Sequence, residues 1–262
     1  MDIHGKVAVI TGGTSGIGFA VAERLAIEGA KLVIVGIDGR AGQHAEELLR
    51  SKGADALFIG GDVSNESIVG ALTTQAVGRY GGIDILVNNA GILGGPRFPE
   101  SSRRHWLRAI EVNQIGTLHC MQAVIPEMQR RGGGCIVNTA STSGITPNPI
   151  DPVYAMTKAG IVNLTRSLGF LRDESNIRVN CVCPALVETP LEENSANAYD
   201  EISRASFLGR RAGRTHKPAL TPGAVATAIL RLISDESLNG VSYKIVVGQP
   251  DEIIPAAAPQ KL

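Results

Sequence analysis

Net charge, cysteine, aromatic side chains and long apolar runs are all scarce in this sequence, and each scarcity closes off a class of function. Twenty-five basic side chains are balanced by 25 acidic ones. A nucleic-acid binder needs a basic excess to displace counterions, so no nucleic-acid partner is expected. No run approaches the ~18 apolar residues of a spanning helix, so no membrane partner is expected either. Residues 1–6 lead straight into a strand without a basic segment, which predicts no signal peptide and a cytoplasmic protein. The four cysteines, Cys120, Cys135, Cys181 and Cys183, do not make a disulfide framework, and the five histidines are scattered. Neither set has zinc-ligand spacing, so no metal is expected and a reducing compartment fits. The single tryptophan, Trp106, lies among apolar helical positions with Leu107 and Ile110 and reads as core or subunit packing.

Glycine, by contrast, is abundant: 31 in 262 residues, against a usual share near ~7%. Tight turns and close backbone approaches use such residues, phosphate-binding loops among them. Short Val/Ile-rich runs at 7–11, 31–36, 56–60, 83–88, 134–139, 178–183 and 243–247 are apolar on both faces. Between them, 17–28, 40–52, 65–80, 102–131, 152–173 and 222–234 carry apolar residues at helical spacing. This alternation predicts an α/β fold: a doubly wound, Rossmann-type parallel sheet of about seven strands with helices on both faces. No linker divides residues 1–262, so one catalytic domain is expected. The polar stretch 189–221 breaks the rhythm and reads as a substrate lid, and 249–262 as a loose tail.

The first strand runs into Thr11-Gly12-Gly13-Thr14-Ser15-Gly16-Ile17-Gly18, after which a helix begins. Glycines permit the turn and let backbone N–H groups approach a pyrophosphate, while the helix N-terminus adds partial positive charge. A second cluster is Tyr154 and Lys158, one helical turn apart on the same face. A free phenol has a pKa near ~10. An ammonium about 4 Å away at an effective dielectric of ~20 is worth roughly 4 kcal/mol, which brings the phenol near operating pH. Ser141 follows the strand at 134–139, at the edge where ligands of open sheets sit, and its hydroxyl can bond a substrate oxygen as charge develops. Asp151 followed by Pro152 reads as a helix cap.

Taken together, TGGTSGIG at 11–18, Asp62-Val63, NNAG at 88–91, Asn113, Ser141 and Y-x-x-x-K at 154–158 resemble the short-chain dehydrogenase/reductase family in its compact single-domain branch. The resemblance runs from about residue 4 to 248. It implies an NAD(P)-dependent oxidoreductase moving a hydride between nicotinamide and a small-molecule secondary alcohol or ketone. Tyr154 would be the acid/base, Lys158 would depress its pKa and hold the nicotinamide ribose, Ser141 would polarise the substrate oxygen, and Asn113 would anchor a water beside Lys158. Gly12, Thr14, Ser15, Gly16, Ile17 and Gly18 would cradle the pyrophosphate. Asp62 and Val63 would meet the adenine, and Asn88, Asn89, Ala90 and Gly91 the adenosine ribose. Pro184, Val187 and Thr189 would bind the carboxamide end, although Pro184-Ala185 replaces the family's Pro-Gly. The helices at 102–131 and 152–173 commonly pair subunits in the family, which implies a homodimer or homotetramer.

Near the C-terminus, Leu238-Asn-Gly-Val-Ser-Tyr-Lys-Ile245 resembles the closing strand of hydroxyprostaglandin dehydrogenases, but Asp151 replaces their glutamine three residues before the tyrosine. For cofactor choice, the family's acidic position at the end of the second strand is Gly36, and the acid comes later, at Asp38. A carboxylate about 5 Å from a 2′-phosphate is worth roughly 3 kcal/mol against NADP. Ser15 and Ile37 are uncharged, and Arg40 reads as a solvated residue, so NAD is favoured over NADP. Arg210, Arg211, Arg214, His216 and Lys217 form a basic cluster in the lid, read as solvated, with a site for an acidic substrate group as the sharper alternative. A non-catalytic dinucleotide sensor is the rival function; it has no need of a phenol beside an ammonium.

Overall fold

In a computed structural model, residues 1–196, 204–205, 209 and 218–255 are described. The apolar runs become β1 (Val7–Thr11), β2 (Lys31–Gly36), β3 (Ala56–Gly60), β4 (Ile85–Asn88), β5 (Gly134–Thr139), β6 (Ile177–Pro184) and β7 (Ser242–Ile245). They are parallel neighbours in the order β3-β2-β1-β4-β5-β6-β7, with an eighth strand, β8 (Glu252–Ile254), antiparallel on the outer edge of β7. This strand corrects the reading of 249–262 as loose. Lys244 Nζ meets Glu252 Oε2 at 2.9 Å, and Tyr243 OH donates to Asp251 Oδ2 at 2.9 Å, so side chains of the tail fasten it to β7. Residues 256–262 lie outside the described residues.

The helices are α1 (Gly16–Ile27), α2 (Gly39–Ser51), α3 (Glu66–Tyr80), α4 (Arg103–Ile110), α5 (Gly116–Arg130), α6 (Pro152–Ser167), α7 (Leu171–Ser175), α8 (Leu191–Ala196) and α9 (Pro222–Ser234). They cover both faces of the sheet. Ala8 and Ile10 of β1 join one cluster with Val21 and Leu25 of α1 and Ile229 and Ile233 of α9, while Val9 between them joins Leu72 of α3 and Val124 of α5 on the other face. Strand periodicity dictates that split, because successive side chains leave the pleat on opposite sides.

Two expected helices are interrupted. The run 102–131 is not one helix: a π-helical turn, Glu111–Ile115, separates α4 from α5. The run 152–173 breaks at a 3₁₀ turn, Leu168–Phe170, before α7. Of the stretch 189–221, expected to be a lid, α8 and the segment where Leu220 pairs with Val187 are described; the basic cluster Arg210, Arg211, Arg214, His216 and Lys217 lies outside the described residues. No helix among the described residues is long and apolar enough to cross a membrane.

Candidate active site

The sheet order reverses between β1 and β4, and the crevice at the carboxyl ends of these strands is where open α/β sheets bind ligands. Thr11 closes the floor of that crevice: its Oγ1 accepts the N–H groups of Asn89 and Ala90, both at 3.0 Å. Asn89 Nδ2 donates back to the carbonyls of Thr11 and Gly12 at 3.2 Å. Gly12 and Gly16 adopt left-handed backbone (φ 62° and 53°), which a side chain disfavours. A Cβ on Gly18 would overlap the Gly12 carbonyl oxygen, so only glycine lets the loop close onto α1. Ile17 packs its side chain into the core, leaving its backbone to the loop.

The N-terminus of α1 is built differently from its neighbours. Side chains of Asp38, Asn65, Ser102, Asp151 and Thr221 cap α2, α3, α4, α6 and α9, whereas Ser15 makes no side-chain cap on α1 and no acid stands in its first turn. Opening N–H groups of a helix need an acceptor, and an uncapped N-terminus with its dipole pointing at the rim fits a pyrophosphate. Opposite it, a Cβ on Gly16 would lie 3.2 Å from Thr189 Cγ2, so the glycine loop and the segment after β6 face each other across a narrow gap. The chain's donors and spaces therefore fit the dinucleotide.

On the other side of the crevice, Asp151 starts α6. It is 1% exposed, and its two carboxylate oxygens accept the N–H groups of Tyr154 and Gly94, both at 3.0 Å. It is the expected cap, and it also ties α6 to the loop after β4. Tyr154 is half-buried and packs against Leu93, which Leu191 of α8 also touches. Lys158 Nζ lies 5.6 Å from the Tyr154 ring centroid and donates to the Thr139 carbonyl at 2.7 Å. Burial pulls this ammonium down to about 8, with the nearby sulfurs of Cys183 and Cys181 opposing the fall. Ser141 is buried at the end of β5; its Oγ accepts the Ser143 N–H at 3.1 Å and donates to the Pro184 carbonyl at 3.5 Å, linking the ends of β5 and β6.

Asn113 sits within the π-helical turn. Its side chain accepts the Ile92 N–H at 2.8 Å and donates to the Ile92 carbonyl at 2.9 Å and to Thr157 Oγ1 at 3.0 Å. The amide is thus spent on the loop after β4 and on α6. A Cβ on Gly91 would stand 3.2 Å from Asn113 Oδ1 and 3.4 Å from Lys158 Nζ, so Gly91, Asn113 and Lys158 converge. A turn of five-residue hydrogen bonding rotates one residue out of helical phase, which is why such turns often mark functional positions.

The residues expected to meet the adenosine are placed differently from one another. Asn88 is 5% exposed and donates to Asn138 Oδ1 at 2.9 Å inside the sheet, so it leaves the set; Asn89, Ala90 and Gly91 remain at the crevice. Asp38 is exposed, with one oxygen capping α2 through Arg40 N and Ala41 N. A Cβ on Gly36 would lie 2.7 Å from Thr14 Cγ2, so Thr14 fills the space where the family's acid would start. Val63 is buried against the start of α5. The carboxylate of Asp62 is held by Ser64 and Arg108. Thr11 enters sequence reasoning only as the start of the glycine motif, without its contacts to Asn89 and Ala90, and Thr139, Thr157, Leu93 and Arg108 are not singled out there at all. Thr11 and Thr139 end buried strands, a position that could have flagged them, but Thr157 and Arg108 carry no signal apart from their contacts.

The short chain dehydrogenase family model matches residues 6–200. An uncharacterized oxidoreductase of Thermotoga maritima is 41% identical over 217 residues, 82% of this chain and 85% of that protein. The 15-hydroxyprostaglandin dehydrogenase [NAD(+)] of Mus musculus is 29% identical over 262 residues, 95% of this chain and 93% of the relative. The structure of L-sorbose reductase from Gluconobacter frateurii, complexed with NADPH and L-sorbose, superposes with a TM-score of 0.81 at 32% identity, covering 94% of this chain and 97% of that one. The chain belongs to the short-chain dehydrogenase family and is an NAD(P)-dependent oxidoreductase.

Proposed function

We propose that the protein interconverts a secondary alcohol and its ketone with NAD as the preferred cofactor. The observation that carries this reading is the buried ammonium of Lys158 against the Tyr154 ring, on the same rim as the uncapped N-terminus of α1. Bound nicotinamide supplies the hydride acceptor or donor. Ser141 donates a hydrogen bond to the substrate oxygen, and Tyr154 takes or returns the proton of that oxygen through its phenol. Lys158 stabilises the phenolate, and the Thr139 carbonyl and Gly91 backbone fix where its ammonium sits. Asn113 holds the Ile92 segment and Thr157 around that ammonium. Gly12 to Gly18 cradle the pyrophosphate, with Pro184, Val187 and Thr189 toward the carboxamide; Asp62 and Val63 receive the adenine, and Asn89, Ala90 and Gly91 the ribose.

NAD is favoured because Asp38 stands exposed just beyond β2, while Ile37 before it and Ser15 on the glycine loop bring no positive charge for a 2′-phosphate. A repulsion of roughly 3 kcal/mol gives about 100-fold preference. The 189–221 region serves as lid, with Leu191 of α8 packed on Leu93, the residue that Tyr154 also packs against. Ile115, Leu118 and Met156 are exposed apolar residues at the start of α5 and on α6, and they support pairing of subunits into a homodimer or homotetramer. Four thiols outside any disulfide support a cytoplasmic location.

A panel of secondary alcohols and ketones (sugar-derived, steroid, aromatic, and hydroxylated fatty acid), read by absorbance of reduced nicotinamide with both cofactors, tests the reading. Turnover of one class with kcat/KM about 100-fold higher for NAD is expected. Tyr154→Phe should abolish turnover and leave NADH affinity intact. Binding without turnover across the panel would return the protein to the sensor reading, and a preference for NADP would overturn the role of Asp38.

A further inference from the structure

Beyond β3 the chain turns along the same rim: Gly61 N–H donates to the Gly36 carbonyl at 2.9 Å, so the ends of β2 and β3 lie side by side. Asp62 follows at once. One of its oxygens accepts the Ser64 N–H at 3.0 Å and the Ser64 hydroxyl at 2.8 Å, and the other accepts from Arg108 Nη2. Arg108 Nη1 also donates to Ser64 Oγ at 2.7 Å, and Glu111 approaches the same guanidinium at 3.6 Å. Carboxylate, hydroxyl and guanidinium form a closed triangle that removes the rotational freedom of Asp62. Burial works against the charge, but Ser64 and Arg108 together hold the carboxyl below its usual range.

The Asp62 side chain is nevertheless 32% exposed, so the triangle leaves one side of the carboxylate open. Carboxylate oxygens have lone pairs beyond those that Ser64 and Arg108 occupy, and an acceptor held at one angle suits an exocyclic amine. A partly exposed ion pair contributes little to stability by itself. Orientation of Asp62 is what this arrangement provides.

We propose that Arg108 is a positioning residue for the adenine half of the dinucleotide, acting through Asp62 and Ser64. The proposal rests on the reading that Asp62 and Val63 meet adenine. Because α4 runs directly into the π-helical turn carrying Asn113, the same helix then braces the adenine end and the catalytic end of one ligand.

Calorimetric titration of the full chain with NADH, ADP-ribose and reduced nicotinamide mononucleotide tests it. Arg108→Met should weaken NADH and ADP-ribose about 10-fold, the worth of a charge-assisted hydrogen bond, and leave the mononucleotide unchanged. Arg108→Lys should recover part of the loss and Ser64→Ala should show part of it. Unchanged ADP-ribose affinity in Arg108→Met, or equal weakening of the mononucleotide, overturns the proposal while the cofactor reading stands. Wild-type protein that binds none of the three overturns both.

Discussion

Lys158, to which the proposed reaction gives a role, is placed at the expense of the fold. Its ammonium is buried and its pKa is lowered from 10.5 to about 8 by desolvation. A lysine that holds its proton less tightly in the folded chain than in the unfolded one costs stability, here about 3 kcal/mol at neutral pH. The sign follows: the penalty is complete below about pH 8, shrinks as pH rises, and is gone above the unfolded value near ~10.5. Lys158→Met should therefore abolish turnover and yet raise urea-unfolding stability at pH 7, with the gap to wild type closing in alkaline buffer. A variant less stable than wild type at pH 7 would show that the bond to Thr139 outweighs desolvation. Asn113 is the opposite case, 1% exposed with both ends of its amide bonded. Asn113→Ala leaves the Ile92 N–H and carbonyl without their partner, so a loss of about 2–4 kcal/mol is expected together with lost turnover.

At the scale of elements, the site depends on where strands stop and helices change pitch. The helical spacing of 102–131 is legible in the sequence because apolar residues recur on one side. The π-helical turn at Glu111–Ile115 is not, because the bonds that accompany it run from Asn113 to Ile92 and Thr157, residues distant along the chain. The Gly loop, in contrast, was legible: Gly12, Gly16 and Gly18 are local backbone requirements. Gly18→Ala should prevent the loop from closing on α1, so dinucleotide binding is lost in titration even where the circular-dichroism spectrum stays native. At the opposite end of the sheet, Asp84 accepts Val7 N–H at 2.8 Å and Arg131 Nε at 2.7 Å with its side chain 5% exposed, tying β1, β4 and the end of α5 together. Asp84→Ala leaves the buried Val7 N–H without its acceptor, a loss of about 1–3 kcal/mol, and should show it as a lower midpoint in urea.

For the whole molecule, the order β3-β2-β1-β4-β5-β6-β7-β8 puts the switch point between β1 and β4, where the proposed site residues, drawn from positions 12 to 189, would meet the dinucleotide. Among the exposed apolar residues, Ile115, Leu118 and Met156 predict association: light scattering should give a dimer or tetramer mass, and Leu118→Glu with Met156→Glu should reduce it. A monomer mass for the wild type would refute that surface. What this sequence determined by itself is whatever depends on neighbours a few residues away: the β/α alternation, the two-faced burial of the strands, the glycine turn, the Asp151 cap, and Tyr154 and Lys158 on one helix face. Tertiary structure alone decided which of two adjacent asparagines, Asn88 or Asn89, meets the crevice, that Thr139 receives the lysine, that Arg108 grips Asp62, and that 252–254 joins the sheet. These outcomes turn on strand register and on contacts across dozens of residues, and no local spacing encodes the distance between two side chains that meet only after the sheet has formed.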